Sequence, residues 1–194
     1  MEAFFVSTGV VFLGEMGDKT QLLALLLAAK FRRPAPIIAG ILVATLLNHG
    51  FAGVVGTWVA TALGANVLRW GVGLSFLGVA GWTLAPDKID SDDANNGSKA
   101  ARRFGVFGTT VAIFFLAEMG DKTQIATIAL AARYHDLVTV VAGTTLGMLL
   151  ADIPAVLFGE TVAKKLSMRL VRRVASLIFA VLGVLALASV ERSG

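Results

Sequence analysis

The heptapeptide Glu-Met-Gly-Asp-Lys-Thr-Gln occurs twice in this chain, at residues 15–21 and, 103 positions later, at residues 118–124. Each copy carries two acids and one lysine within a strongly apolar stretch; residues 22–29, for example, are only leucine and alanine. A charged side chain at the centre of a bilayer costs about 2.5–3.5 kcal/mol on insertion scales. Six such groups in two identical copies therefore indicate one shared, buried polar site.

Composition places the chain among integral membrane proteins. Of its 194 residues 56% are hydrophobic and 15% are charged, and the mean hydropathy is +0.79. Soluble domains carry about 25% charged residues. The net charge of +4 is attributed to basic cytoplasmic loops and not to nucleic-acid binding, because no basic stripe is interleaved with aromatic residues. With no cysteine in the chain, disulfides and thiolate metal sites are excluded.

The pattern predicts an all-α integral membrane fold. A spanning helix needs about 20 mostly apolar residues. The N-terminal apolar run lacks a basic segment and a cleavage site of the signal-peptide type, so we interpret it as a retained span. Six segments qualify as transmembrane helices: residues 4–29, 35–60, 66–85, 105–131, 137–160 and 171–190.

These helices fall into two repeats. Residues 1–85 form the first three-helix repeat, residues 86–103 a polar cytoplasmic linker, and residues 104–194 the second repeat. Because three is odd, the second repeat is expected to enter the membrane in the inverted orientation. Inverted repeats build many secondary transporters, with the substrate site near the midplane where the halves meet.

Loop charges predict the orientation. With six spans, twelve basic residues fall on one side and three on the other; the three are Arg69, Arg133 and Arg192. The positive-inside rule then places both termini outside and the linker in the cytoplasm, in a multi-pass protein of the cell (inner) membrane.

The motif acids are the predicted metal-binding residues. On a continuous helix Glu15 and Asp18 share one face, and Lys19 falls on it too. Bringing the first and fourth helices together would unite these acids with Glu118 and Asp121. Carboxylate oxygens suit hard cations such as Ca²⁺, Mn²⁺ or Mg²⁺, whereas zinc or copper would usually recruit Cys or His. Protons are the natural occupants of the empty site, because like charges brought together favour the protonated form.

Each of the other polar or glycine residues of the motifs has two possible roles. Lys19 and Lys122 either compensate charge in the empty site or pair structurally with the acids. Gly17 and Gly120 either open the backbone, as in broken transporter helices, or serve close helix packing. The remaining polar residues of the motif are either ligands or hydrogen-bond partners: Gln21 and Gln124, with Thr20 and Thr123 pointing more sideways.

The partner helices add further candidates. Asn48 continues a stripe of small residues and is expected to reach the site as a ligand or to support one. Gly143 and Gly147 are interpreted as packing positions, since small residues let helices approach closely in lipid. His49 and Asp152 either relay protons or lie in an aqueous vestibule.

The doubled Glu-x-Gly-Asp-Lys-Thr in a six-helix, two-repeat membrane protein resembles the Gdt-type calcium/manganese cation:proton antiporters. That family includes Golgi calcium/manganese transporters, a chloroplast manganese transporter and bacterial manganese exporters. The resemblance covers essentially the whole chain. It implies Mn²⁺ and/or Ca²⁺ as the transported ion, proton exchange as the driving force, no resident cofactor, and the four motif acids as binding residues. The short chain is similar to the bacterial members, which implies manganese export.

Two other functions fit the motif less well. An intramembrane aspartyl-type enzyme needs two carboxylates in unequal environments, whereas two identical motifs present four acids. An exporter of small organic solutes would want fewer acids and more aromatic surface. We therefore expect a transporter and not an enzyme, with divalent cations, protons and the lipid bilayer as partners and with the oligomeric state left open.

Overall fold

The computed structural model describes residues 1–85, 91–158 and 168–191, and this part of the chain is entirely helical and loop. The all-α class predicted from the sequence is thus confirmed for the described residues. The eight helices are α1 Glu2–Glu15, α2 Lys19–Phe31, α3 Pro34–Ala62, α4 Ala65–Thr83, α5 Ser91–Glu118, α6 Lys122–Tyr134, α7 Leu137–Phe158 and α8 Met168–Glu191.

The order of helices repeats with the sequence. The first residues of α2, α3 and α4 are 19, 34 and 65, and those of α6, α7 and α8 are 122, 137 and 168, always 103 positions later. The helix ends repeat as well, because Arg32 and His135 both adopt the left-handed conformation, with φ of 52° and 53°. Every element of the first half therefore has a counterpart in the second.

The first and fourth predicted helices are not continuous. The segment 4–29 divides into α1 and α2, and the segment 105–131 divides into α5 and α6, each time inside the motif. The breaks contain Gly17 and Gly120, with φ of 79° and 78°, a conformation that glycine adopts without steric cost. The expectation that Glu15, Asp18 and Lys19 share one face of an unbroken helix is wrong. Of the two roles left open for these glycines, the opened backbone is the observed one.

Among the described residues, α3 and α7 are each long and apolar enough to cross a membrane. The part of α5 from Phe104 onward and α6, bent by 74° at the motif, meet the same criterion when taken together. Helix α4 covers all but the last two residues of the predicted span 66–85, and α8 covers 171–190. Residues 159–160 of the fifth predicted span and residues 86–90 of the linker lie outside the described part, and α5 begins within the linker at Ser91. Six spans and an inverted second repeat remain predictions.

The two halves interleave. A Cβ atom added at Gly143 of α7 would lie 2.6 Å from the Phe4 carbonyl oxygen of α1, and one added at Gly40 of α3 would lie 2.6 Å from the Thr110 Cβ of α5. Gly147 is as close to the backbone of α1, so both Gly143 and Gly147 are packing positions, as predicted. Each motif-bearing helix thus packs on the long helix of the other half.

The third helices of the halves pair with each other. Gly73 of α4 and Gly183 of α8 lie against one another's backbone, and the rings of Phe76 and Phe179 have centroids 6.3 Å apart with an interplanar angle of 33°. Both phenylalanines are buried in an apolar cluster that continues into α6. The third helices of the two halves therefore share one apolar core with α6.

Candidate cation site

The four motif acids meet at the centre of the bundle. Glu15, Asp18, Glu118 and Asp121 each offer one carboxylate oxygen to a group in which all four oxygens lie within 4.8 Å of one another. All four side chains are buried. The structure therefore brings together the four acids that were predicted from the sequence to bind a metal ion.

The broken helices explain how two acids per motif reach one point. Glu15 and Glu118 are the last residues of α1 and α5, whereas Asp18 and Asp121 stand at the N-caps of α2 and α6. The carboxylate of an N-cap aspartate is favoured by the positive end of the helix dipole. A carboxylate at a helix C-terminus is disfavoured there, and that end attracts a cation. Each break therefore places a glutamate in the negative potential of a helix C-terminus. A bound proton or cation would compensate this potential.

The threonines of the motif hold the glutamates. The Thr20 hydroxyl donates to Glu15 Oε2 at 2.6 Å, and the Thr123 hydroxyl donates to Glu118 Oε2 at 3.2 Å. The expectation that these threonines point sideways is wrong, because it assumed an unbroken helix. Because the chain turns at the glycine, the threonine five positions after each glutamate faces that glutamate.

Three carboxylate oxygens in the cluster have no hydrogen-bond partner among the described residues: Glu15 Oε1, Glu118 Oε1 and Asp121 Oδ2. A buried acceptor without a partner is costly, by about 1–3 kcal/mol and more when charged. Such oxygens are satisfied either by protons or by a cation. The donor set, made of oxygen atoms only, fits hard divalent ions.

The motif lysines pair across the two halves. Lys122 of the second motif forms an ion pair with Asp18 of the first, and Lys19 Nζ lies 3.4 Å from Asp121 Oδ1. The two pairs differ in environment, since the Lys122 side chain is 3% exposed and the Lys19 side chain is 29% exposed. The cross-pairing ties each break to the other and leaves one side of the cluster more open.

The glutamines close the breaks. Gln21 Oε1 accepts from the Gly17 N–H at 3.0 Å, and Gln124 Oε1 accepts from the Gly120 N–H at 2.7 Å. Their amide groups reach the neighbouring helix: Gln21 Nε2 donates to the Ala151 carbonyl at 3.0 Å. Of the two roles left open, hydrogen bonding to the adjacent helix is the one the structure shows.

Asn48 supports the second break. Its Nδ2 donates to the Phe115 carbonyl of α5 at 3.0 Å, and its Oδ1 lies 3.4 Å from Gln124 Nε2. The carbonyls of Phe115 and Ala151 were not recognised from sequence as anchors. For Ala151 a signal was present, because it stands at the position of the second half that matches Asn48.

The two candidates for proton relay are both fully buried on α3 and α7. Both Asp152 oxygens lack a hydrogen-bond partner in the described part of the chain, and Asp152 interacts electrostatically with Glu15 and Glu118. His49 stands at the matching position of the first half, and neither of its ring nitrogens has a partner among the described residues. The relay itself remains a prediction.

The family profile that matches this chain matches each of its two halves separately. The sequence profile described as "Divalent cation/proton antiporter GDT1" matches residues 3–91 and again residues 106–193. A Vibrio cholerae protein named "Putative manganese exporter" is 47% identical over 180 residues, covering 92% of this chain and 87% of that protein.

More distant relatives cover the chain equally well. "GDT1-like protein 4" of Oryza sativa subsp. indica is 32% identical, covering 92% of this chain and 70% of the rice protein. A GDT1-like protein of Synechocystis sp. is 30% identical, covering 92% of this chain and 93% of the cyanobacterial protein. No solved structure matches at a significant level.

Proposed function

This chain belongs to the GDT1 family of divalent cation/proton antiporters, and we propose that it exports Mn²⁺, and Ca²⁺ where the site admits it, from the cytoplasm in exchange for protons. It is a membrane transporter and not an enzyme. The observation that carries the proposal is the cluster of four buried carboxylates, two from each half, with three oxygens that lack hydrogen-bond partners among the described residues.

Competition for one set of oxygens would couple the two ions. When a divalent cation binds, its oxygen ligands from Glu15, Asp18, Glu118 and Asp121 must give up any proton they hold. When the cation leaves, protons return, because uncompensated carboxylates in a desolvated site favour the neutral form. The two threonine hydroxyls keep the glutamate carboxylates oriented through both steps.

The lysines would act as tethered positive charges in this exchange. Each already binds the aspartate of the opposite motif, so an arriving cation competes with Lys19 and Lys122 for Asp121 and Asp18. Since Lys19 is the more exposed, we propose that the cation enters and leaves on the side of the Lys19–Asp121 pair in this conformation. Rocking of the two halves would exchange the open and closed sides.

We further propose six spans in two inverted repeats, with both termini outside, residues 86–103 in the cytoplasm, and insertion in the inner membrane. The separate match of the family profile to each half supports the duplication. The interleaved packing of α1 on α7 and of α5 on α3 supports a shared midplane site.

The test uses purified protein in sealed liposomes loaded with a pH dye and a metal-sensitive dye. A proton gradient is imposed, and Mn²⁺, Ca²⁺ or Mg²⁺ is added in turn. We expect metal flux coupled to opposite proton flux, abolished by Asp121→Asn and retained by Asp136→Asn, a matched change at an exposed acid outside the cluster. Metal flux without proton flux would indicate a channel. No flux of any of the three ions would contradict the proposal and favour an organic solute.

A further inference from the structure

A cavity of about 440 Å³, separate from the carboxylate cluster, opens at the end of the bundle where α4 begins and α6 ends. None of the described residues that line it is acidic. Its polar wall carries two guanidinium groups, and its remaining wall is apolar. The lining residues are Arg69, Arg133, Tyr134 and His135, with Ala65, Leu68, Val72 and Ala186.

Arg133 is held in place at this cavity. Its guanidinium carbon lies 5.6 Å from the centroid of the Tyr134 ring, and the Tyr134 hydroxyl donates to Glu2 Oε1 at 3.1 Å. The other nearby acid, Asp136, accepts a hydrogen bond from the Thr139 N–H, and hydrogen bonds from Thr139 hold the pKa of Asp136 below its usual range. Each neighbouring acid therefore has a hydrogen-bond partner other than the two arginines: Tyr134 for Glu2 and Thr139 for Asp136.

A second, narrower cavity of about 130 Å³ shares Leu68 and Val72 with the first. It lies between α3, α4 and α6, and Ser75 supplies the one hydroxyl among the described residues that line it. From Leu68 to Ser75 the groove follows α4 for about 10 Å, at 1.5 Å per residue. The combined space is basic at the end of the bundle and apolar along its length.

The surroundings suit a membrane surface at the basic end. Trp58, near the end of α3, and Trp70, next to Arg69, are both exposed on the outside of the bundle. Tryptophan is enriched where the hydrocarbon meets the headgroups of a bilayer. Exposed tryptophans at this end would therefore put the basic cavity at headgroup level, with the apolar groove extending toward the hydrocarbon.

We propose that these two cavities form a binding site for one anionic phospholipid. The phosphate lies between Arg69 and Arg133, and one acyl chain enters the groove past Leu68 and Val72. Guanidinium groups bind phosphate oxygens in a bidentate manner. A free phosphate ion would bind the two arginines but would not occupy the apolar groove.

A lipid bound at this position would connect the two halves of the protein. Helix α4 belongs to the first half and α6 to the second, so the phosphate would join the two halves at one end of the bundle. This binding does not depend on which ion the carboxylate cluster carries, and it is testable without a transport assay.

The first experiment counts lipids bound to the purified full chain by native mass spectrometry. Phosphatidylglycerol is compared with phosphatidylcholine of the same acyl chains. We expect the native chain to retain phosphatidylglycerol preferentially, and Arg69→Gln/Arg133→Gln to weaken that preference by roughly tenfold or more, as charged hydrogen bonds are lost.

The matched control uses the counterparts in the other half. Lys30 stands where Arg133 stands and lies 5.7 Å from the Phe31 ring centroid, and Arg172 stands where Arg69 stands. Lys30→Gln/Arg172→Gln removes the same charge and should leave the preference unchanged. Equal loss in both double variants, or equal binding of the two lipids by the native chain, would overturn the proposal.

A second pair of variants tests the groove without touching a charge. Gly71 lines the groove, Gly78 does not, and a Cβ at either position would meet no atom within 4 Å. Gly71→Leu should fill the groove and weaken phosphatidylglycerol binding, whereas Gly78→Leu should not. If inorganic phosphate displaces the lipid and Gly71→Leu has no effect, the site binds a free anion and the lipid proposal is wrong. Helix content measured by circular dichroism confirms that each variant is folded.

Discussion

Lys122 of one motif is buried against Asp18 of the other, whereas the equivalent pair, Lys19 and Asp121, is partly open to solvent. Two identical sequences therefore occupy unequal environments in one conformation. A transporter whose halves exchange environments during each cycle would show this inequality in any single state.

Because the two ion pairs differ in burial, replacing their aspartates by asparagine should destabilise the protein to different extents. Asp18→Asn should lower the melting temperature more than Asp121→Asn, because removing one partner of a fully buried ion pair costs about 3–5 kcal/mol. The Lys19–Asp121 pair is partly open to solvent at Lys19, so breaking it should cost less. Thermal unfolding in detergent measures the difference. Asp18→Asn/Lys122→Met should recover much of the loss. Equal melting temperatures for the two single variants would mean that the pairs are equivalent.

The break at Gly120 requires a left-handed backbone. Gly120→Ala should reduce both stability and transport, because an alanine at positive φ costs about 1–2 kcal/mol although nothing would touch its Cβ. Gly120→Asn should be milder, since asparagine adopts this conformation more readily than other side chains. Transport assays and thermal unfolding distinguish the two. If Ala and Asn behave alike, the effect is not conformational.

The Thr20 hydroxyl donates to Glu15, and this bond should matter more than the methyl group beside it. Thr20→Val keeps the shape but removes the donor, and a hydrogen bond to a charged group contributes about 1.5–3 kcal/mol. We expect apparent cation affinity to fall by roughly tenfold or more in Thr20→Val and to stay near the native value in Thr20→Ser. Native affinity in the valine variant would show that Thr20 does not orient the glutamate.

The contact between α1 and α7 has no room for a methyl group. Gly143→Ala would place a Cβ atom 2.6 Å from the Phe4 carbonyl oxygen, so we expect a loss of about 1–3 kcal/mol of stability. Gly50→Ala is the control, because that position on α3 is open and alanine favours a helix. A neutral Gly143→Ala would mean that the two helices separate easily.

Acid should weaken cation binding. Protons and cations compete for the same carboxylate oxygens, so apparent affinity should fall as pH falls, by up to about one order of magnitude per pH unit for each proton displaced. Titrations of Mn²⁺ at several pH values measure the slope. An affinity independent of pH would contradict proton exchange at this cluster, whatever the transport assay showed.

The sequence was sufficient for the all-α class and for the set of acids that lie together, because apolar runs and an exact repeat are strong signals. It left the helix breaks as one of two interpretations of Gly17 and Gly120, since one glycine inside an apolar pattern is compatible with a continuous helix. The signal was the Asp that follows each glycine, a residue preferred at helix starts. The unequal exposure of Lys19 and Lys122 was not predictable at all, because identical motifs carry no information about which side is open.

The interleaving of the halves also has a consequence for synthesis. Gly143, against which Ser7 packs, is made 136 residues after it. At about 5–20 residues per second, α1 waits roughly 7–27 s for its partner helix. During that time the first half lies in the bilayer with its closest packing surface covered only by lipid or by the insertion machinery. Expressed as two separate pieces, the halves would have to find each other by diffusion, and assembly would depend on their concentration in the membrane.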